Sequence, residues 1–443
     1  MKRLLSLLLV SISLISEAQN TMYFMDRLPQ NIAYNPAIMP KMKFFIGLPG
    51  MYGGVSAQVY NSGFNMNEMD DFVNNLDNDN YNPDDFVKSI GDYNLFTGEA
   101  IMNVASFGFK LKEKGYLSFL VTMNSLLINK ASSDIAYVLA DLDNLYPEDF
   151  PIVVDDITLE GNAYLNFGVT YSRIINEHLT LGITPRINFN QAGLRTTNLS
   201  YKVDYNEQDI NSDEDEYGQT FSGEVFVGLP TEINPEAIDN GEMNLDAGLL
   251  PENWQDEISF ASVLQNKSLM IDVGATYEIE KWTFSASLLN IGTSSFQTNG
   301  YKLTGNNDRV LMNEEDKVKI GIPAKFYAGA MRQFSPKWNY ALLFNNNFYS
   351  TGSVATATAS LNGYVGSALS TSISYTAGYK YDNLGFGLRF RFLPGTDLYL
   401  VTDNIIQAFN YKNAYRLTAA AGINISIGVK DESLVSADLP ESK

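Results

Sequence analysis

Apolar and polar residues alternate along most of the chain, the pattern of an extended strand whose two faces meet different surroundings. Near the C-terminus Leu417, Ala419, Ala421, Ile423, Ile425, Ile427 and Val429 share one face, and Thr418, Ala420, Gly422, Asn424, Ser426 and Gly428 the other. Upstream, Phe386, Leu388, Phe390 and Phe392 alternate with Gly385, Gly387, Arg389 and Arg391. Leu165, Phe167, Val169 and Tyr171 alternate with Asn166, Gly168, Thr170 and Ser172; Leu179, Leu181, Ile183, Ile187 and Phe189 with Thr180, Gly182, Thr184, Arg186 and Asn188. Ile271, Val273, Ala275, Tyr277 and Ile279 oppose Asp272, Gly274, Thr276 and Glu278, and after a tight link Trp282, Phe284, Ala286 and Leu288 continue the pattern, which predicts a hairpin. Segments of this kind fall near 44–59, 94–111, 115–129, 161–175, 178–203, 219–228, 267–279, 282–291, 319–333, 337–350, 353–363, 370–381, 384–393, 396–402 and 415–429.

Strands this long, with one face so uniformly apolar, predict an all-β transmembrane barrel of roughly 14 antiparallel strands, lipid on one face and an enclosed lumen on the other. No stretch past the N-terminus is long and apolar enough for a membrane helix, and a closed barrel is the other structure that satisfies every backbone group inside a bilayer. A soluble sandwich or propeller would turn its apolar faces toward a second sheet and break more often into turns. Tyr375, Tyr379, Tyr381, Tyr399 and Tyr411 are candidates for interfacial girdles. Tight links such as Glu113-Lys114-Gly115, Asn176-Glu177, Glu280-Lys281, Ser335-Pro336 and Asp382-Asn383 alternate with long acidic connections, as short periplasmic turns alternate with external loops. Residues 62–92 read as two short amphipathic helices, Asp134 to Leu145 as another, and Pro230 to Asn266, with Trp254, as the largest external loop.

The ends and the charge refine this picture. Met1-Lys2-Arg3, the apolar stretch Leu4 to Ile15, and Ser16-Glu17-Ala18 have the order of a cleavable secretory signal, residues 1–18, too short to span a bilayer. With no cysteine there is no lipoprotein acylation site, disulfide or thiolate metal centre. Removal of the signal leaves 28 basic and 50 acidic residues, a net charge of -22, which argues against a nucleic-acid partner. At 45% hydrophobic and 12% aromatic residues the chain has the apolar surface to fold. The acidic runs at 77–85 and 209–216 invite a calcium reading but lack the glycine and closing glutamate of the usual loop, so they read as solvated tips, with divalent bridging to lipopolysaccharide as the functional remainder; no metal site or cofactor is expected.

Residues 19–43 have no strand period and carry Pro29, Pro36 and Pro40, so they predict a segment that enters the barrel as a hatch; the barrel then occupies 44–430 and a polar tail 431–443. Within it Asn35-Pro36-Ala37, followed by Ile38 and then Phe44-Phe45-Ile46-Gly47, resembles the opening of the FadL-type long-chain fatty-acid transporter superfamily. Tyr23-Phe24-Met25-Asp26-Arg27-Leu28-Pro29-Gln30 is similar to a group of Bacteroidota barrels of unassigned function, and type IX secretion barrels of that phylum open in a similar way. Ser287-Leu288-Leu289-Asn290-Ile291-Gly292 and Thr402-Asp403-Asn404 are similar to strand ends in the superfamily. The resemblance implies a 14-stranded barrel with a hatch, an internal hydrophobic ligand pocket and a lateral opening to the membrane. The chain departs from the pattern in ending on a polar tail, Asp431 to Lys443, where a terminal aromatic is usual.

The leading expectation is therefore a hatch-plugged channel of the outer membrane for a hydrophobic or amphipathic small molecule, embedded among lipid and lipopolysaccharide. Arg186, Arg389 and Arg391 would either hold an anionic group in the lumen or pair with lumen acids such as Asp272 and Glu278. A scaffold that binds a surface or secretion-system protein through its acidic loops and Trp254 is the alternative. A hydrolase is disfavoured, since the only histidine, His178, sits in a strand-to-strand turn with no serine motif beside it.

Overall fold

The structure is a computed structural model in which the described residues are 19–49, 54–75, 84–134, 151–205, 217–229, 231–232, 234, 238–239, 242–243, 263–297, 299–306, 309–314, 317–378 and 383–428. The expected signal, the polar tail, Tyr379, Tyr381, Trp254 and the acidic run 209–216 lie outside them, as do most of the run 77–85 and all but Asp134 of the helix expected over Asp134 to Leu145.

One antiparallel sheet closes on itself. Its first strand is split into β1 (Phe44–Gly47) and β2 (Val55–Asn61), followed by β3 (Tyr93–Leu111), β4 (Gly115–Ser132), β5 (Ile152–Ile174) and β6 (Leu179–Tyr205). Outside the ring run β7 (Tyr217–Gly228), β8 (Ile238–Asp239) and β9 (Glu242–Met243). The ring resumes with β10 (Lys267–Ile279) and β11 (Trp282–Gly292), then leaves again for β12 (Ser294–Phe296), β13 (Gly300–Asn306), β14 (Arg309–Glu314) and β15 (Val318–Ile320). It is completed by β16 (Ala324–Ser335), β17 (Trp338–Tyr349), β18 (Gly352–Val365), β19 (Leu369–Ala377), β20 (Asn383–Leu393), β21 (Thr396–Thr402) and β22 (Arg416–Ile427). Because β22 pairs with β21 on one side and with both β1 and β2 on the other, the ring is a closed barrel of 14 strands.

The lower half of β6 pairs with β10 and its upper half, Gly193 to Tyr205, with β7. The segment 219–228 is thus no barrel strand, although its alternation matched one. It pairs with β13, and β13 with β14, so these strands extend the sheet beyond the ring, with Val227, Leu229, Tyr301 and Leu303 packed together.

The alternation places side chains as the period requires. Leu269 is 76% exposed, Leu342 62%, Leu400 53% and Ile427 58%, a belt of exposed apolar side chains that only hydrocarbon would cover. The opposite face is Asn-, Ser- and Thr-rich: Asn166, Thr170, Asn188, Thr358, Ser372 and Asn424 are all buried. Tyr375 is exposed on the belt, whereas Tyr399 is buried in the lumen, because it shares the inward parity of Asp397 and Val401. Tyr411 is exposed in a turn of the connection between β21 and β22, off the strands. At the end of the barrel that carries the short turns, Trp282, Phe284, Phe334 and Tyr340 form a ring cluster.

Among the described residues four short α-helices accompany the barrel: α1 (Gln19–Met22), α2 (Met66–Asn75), α3 (Asp84–Ile90) and α4 (Ile405–Phe409). Helices α2 and α3 lie within the connection 62–92 and pack through Phe72 and Phe86, whose rings stack at 4.3 Å. Residues 19–43 run inside the barrel: Met22, Tyr23, Phe24, Met25 and Leu28 are buried with the inward Leu289, Tyr327 and Leu343 of the wall.

Candidate functional site

The inner segment is held by the wall along its length. The Asp403 carboxylate accepts the backbone N–H of Thr21 at 2.8 Å and of Asn20 at 3.3 Å, and the Thr21 hydroxyl lies 2.6 Å from that of Ser374. Arg416 donates to Asp403 at 3.1 Å and to Gln58 at 3.0 Å, so the acid that receives the segment is itself neutralised by the wall. Farther along, Arg27 donates to the Gly366 carbonyl and lies over the Tyr364 ring, 4.6 Å from its centre.

Asn35, Pro36 and Ala37 form the tightest contact with the wall. The Asn35 amide donates to the Tyr23 hydroxyl at 3.1 Å and to the Ala286 and Ala275 carbonyls at 3.3 and 3.4 Å, while its oxygen accepts the Ala37 N–H at 2.9 Å. Ser172 donates to the Pro36 carbonyl at 2.6 Å and Ser287 to that of Tyr34 at 2.7 Å. The approach is close enough that a side chain at Gly182 would overlap the Pro36 backbone, and one at Gly274 the Asn35 amide. Gly385 and Gly387 admit Thr21 and Met25 in the same way.

Between this segment and the wall lies a cavity of about 120 Å³. Met22, Ile32 and Tyr34 of the segment face it, opposite Asn103, Thr122, Asn124 and Thr170 of β3 to β5, with Leu289, Tyr399 and three charged residues, Glu99, Arg186 and Lys325. Lys325 Nζ reaches both Glu99 carboxylate oxygens, at 2.6 and 2.7 Å, and Arg186 pairs with Asp272, whose other oxygen accepts the Asn290 N–H at 2.8 Å.

Of the three arginines expected in the lumen, two meet at one acid and the third stands apart. Arg186 faces the cavity and pairs with Asp272, one of the two acids expected to neutralise it; the other, Glu278, is exposed near the C-terminal end of β10. Arg389, fully buried, and Arg391 share Asp397 at 2.6 and 2.8 Å, next to the turn joining β20 to β21. His178 Nδ1 lies 2.7 Å from the Glu278 carbonyl oxygen. Glu99, Lys325 and Asp397 were not singled out from the sequence, and Asp403 stood out only within Thr402-Asp403-Asn404, with no role assigned. Their one signal is charge at an inward position of a strand or its end: Asp397 alternates with Leu398 and Leu400 much as Arg389 alternates with Leu388 and Phe390.

A closed barrel of this size, apolar outside and polar within, defines a transmembrane protein of the outer membrane. The chain belongs to a family described as of unknown function, DUF5723, which matches residues 36–314 and 307–403. No curated protein matches it. Among solved structures it is similar to the toluene transporter TbuX of Ralstonia pickettii, with 9% identity over 91% of this chain and 95% of that one and a TM-score of 0.45. A FadL homologue of Pseudomonas aeruginosa has 9% identity over 94% and 99% of the two chains and a TM-score of 0.44. The toluene transporter TodX of Pseudomonas putida has 10% identity over 89% and 91%, and a TM-score of 0.40.

Proposed function

We propose that the protein is a channel for a hydrophobic or amphipathic small molecule and that residues 19–43 are its hatch. The observation that carries this reading is the internal cavity, bounded on one side by the barrel wall and on the other by the segment that fills the lumen. A permanent structural core has no need of a cavity bordered by Glu99, Lys325 and Arg186, whereas a molecule passing from the outside would rest there until the segment moved. Up to Lys43, whose backbone bonds to Ile427 and Lys110 tie it to the first strand, the joints that hold the segment are hydrogen bonds to Asp403, Ser374, Ser172 and Ser287 rather than strand pairing, so it can shift while the ring stays closed.

The split first strand supplies a candidate lateral exit. β1 and β2 pair with the same two neighbours, yet Gly47 opposes Asn424 and Val55 opposes Ala421, so the register against β22 shifts between the two halves of the strand. Phe45, Gly54 and Val55 beside this interruption also border the cavity. A ligand leaving there would enter the bilayer directly.

The chain lacks cysteine, so a single engineered disulfide tests the reading cleanly. The hydroxyls of Thr21 and Ser374 are 2.6 Å apart, and Thr21→Cys with Ser374→Cys places two sulfurs within bonding reach. Cells carrying the oxidised variant should stop taking up radiolabelled lauroyl and dodecyl amphiphiles and recover on reduction. Uptake that is equal in the oxidised and reduced states overturns the hatch as the moving part.

A further inference from the structure

We propose that Glu99 and Lys325 form a head-group site that takes an amphiphile bearing both an ammonium and an acidic group. The proposal rests on the channel reading and names the chemistry of the molecule carried.

The Glu99–Lys325 pair differs from the other buried pairs in where its partners sit. Arg186 and Asp272 lie on adjoining strands β6 and β10, Arg389 and Asp397 on β20 and β21, and Arg416 with Asp403 at the facing ends of β22 and β21. Those pairs run along the wall. Glu99 is on the second strand of the ring and Lys325 on the eighth, and the register neighbours of Lys325 are Leu289 and Asn347. Their bond therefore crosses the lumen, through the space that a ligand would occupy. Either side chain can swing back to its own wall without disturbing strand pairing.

Separating the pair leaves a carboxylate and an ammonium facing each other across a gap, and their contents decide what can enter. A hydrocarbon or an alcohol leaves both charges poorly solvated. A simple carboxylate satisfies Lys325 but strands Glu99, and a simple amine does the reverse. Arg186 cannot compensate, because Asp272 already neutralises it. A head carrying both charges replaces each partner with another of the same sign and keeps the cavity neutral. The hydroxyls and amides of Thr122, Asn124 and Thr170 surround such a head, and Met22, Ile32, Tyr34 and Leu289 receive the start of an apolar tail.

The test uses the full-length protein in nanodiscs and four probes of equal chain length: lauroyl lysophosphatidylethanolamine, laurate, dodecylamine and dodecanol, with binding followed by calorimetry. The wild type should bind the lysophospholipid at least tenfold more tightly than the other three. Glu99→Gln and Lys325→Met should each lower that affinity about tenfold, the preference passing to dodecanol in the double variant. The heat-dependent shift of a folded barrel on a denaturing gel establishes that each variant has folded. Equal binding of all four probes, or unchanged lysophospholipid affinity in both single variants, overturns the head-group site and leaves the channel standing. Binding of none of them by the wild type overturns both.

Discussion

The contact between Pro36 and Gly182 is the smallest feature on which the arrangement depends. Gly182 faces the lumen on β6, and any β-carbon there would occupy the space of the Pro36 carbonyl group, which the Ser172 hydroxyl holds at 2.6 Å. Gly182→Val should therefore displace the Asn35-Pro36-Ala37 turn and give up the Ser172 bond together with those of Asn35, about 1 kcal/mol for each bond lost. Amide exchange across residues 20–40 should accelerate while the barrel keeps its heat-dependent gel shift; exchange that stays as slow as in the wild type would place Pro36 away from β6. At this scale the sequence is legible in part. Asn35-Pro36-Ala37 stands out by its type, and Gly182 and Gly274 by their inward parity, but nothing local joins residues that meet only when the sheet closes around the segment. Glu99 and Lys325 escaped for the same reason: each is one charge on one strand, and their significance is a distance across the lumen.

A strand of this barrel is recognisable because its two faces answer to two solvents. β17 shows this well: Leu342 and Phe344 are exposed on one face, while Ala341, Leu343 and Asn345 are buried on the other. Leu342→Arg should destabilise the folded barrel by about 2–4 kcal/mol, the cost of a charge near the centre of the lipid-facing belt, and Leu342→Ile should leave it nearly unchanged. Guanidinium titration of the protein in lipid vesicles measures the difference, and an arginine variant as stable as the wild type would mean that this face does not meet lipid. Alternation alone fails where an element keeps the period but changes partners. Residues 219–228 alternate like a barrel strand, yet β6 has already paired its lower half with β10, and β7 can only extend the sheet outside the ring. In the first strand the period persists in both β1 and β2, while Pro49, which has no N–H to give a ladder, follows the first of them. The helix Ile405–Phe409 has no sequence signal of comparable strength, being shorter than two full turns.

At the scale of the whole molecule, the ring and its contents are separable in their bonding. Every strand of the ring pairs with two neighbours, and closure between β22 and β1 with β2 draws on residues 19–43 only through Lys43, whose N–H donates to the Ile427 carbonyl at 3.0 Å and whose carbonyl accepts the Lys110 N–H at 2.8 Å. The segment joins the wall through side chains and buried apolar contacts, and two of the acids near it keep wall partners without it: Asp403 with Arg416, and Asp397 with Arg389 and Arg391. Removing residues 19–43 therefore strands neither of these charges and, apart from the backbone bonds of Lys43 just before β1, leaves the strand pairing of the ring intact, and the polar lining of Asn, Ser and Thr is ready to take up water in its place. The deletion variant should fold into a heat-modifiable barrel whose conductance in planar bilayers rises severalfold over that of the full chain, with the largest change at low ionic strength, where the uncovered lumen charges act at their longest range. A variant that folds and conducts no more than the full chain would show that the lumen is closed by something other than this segment.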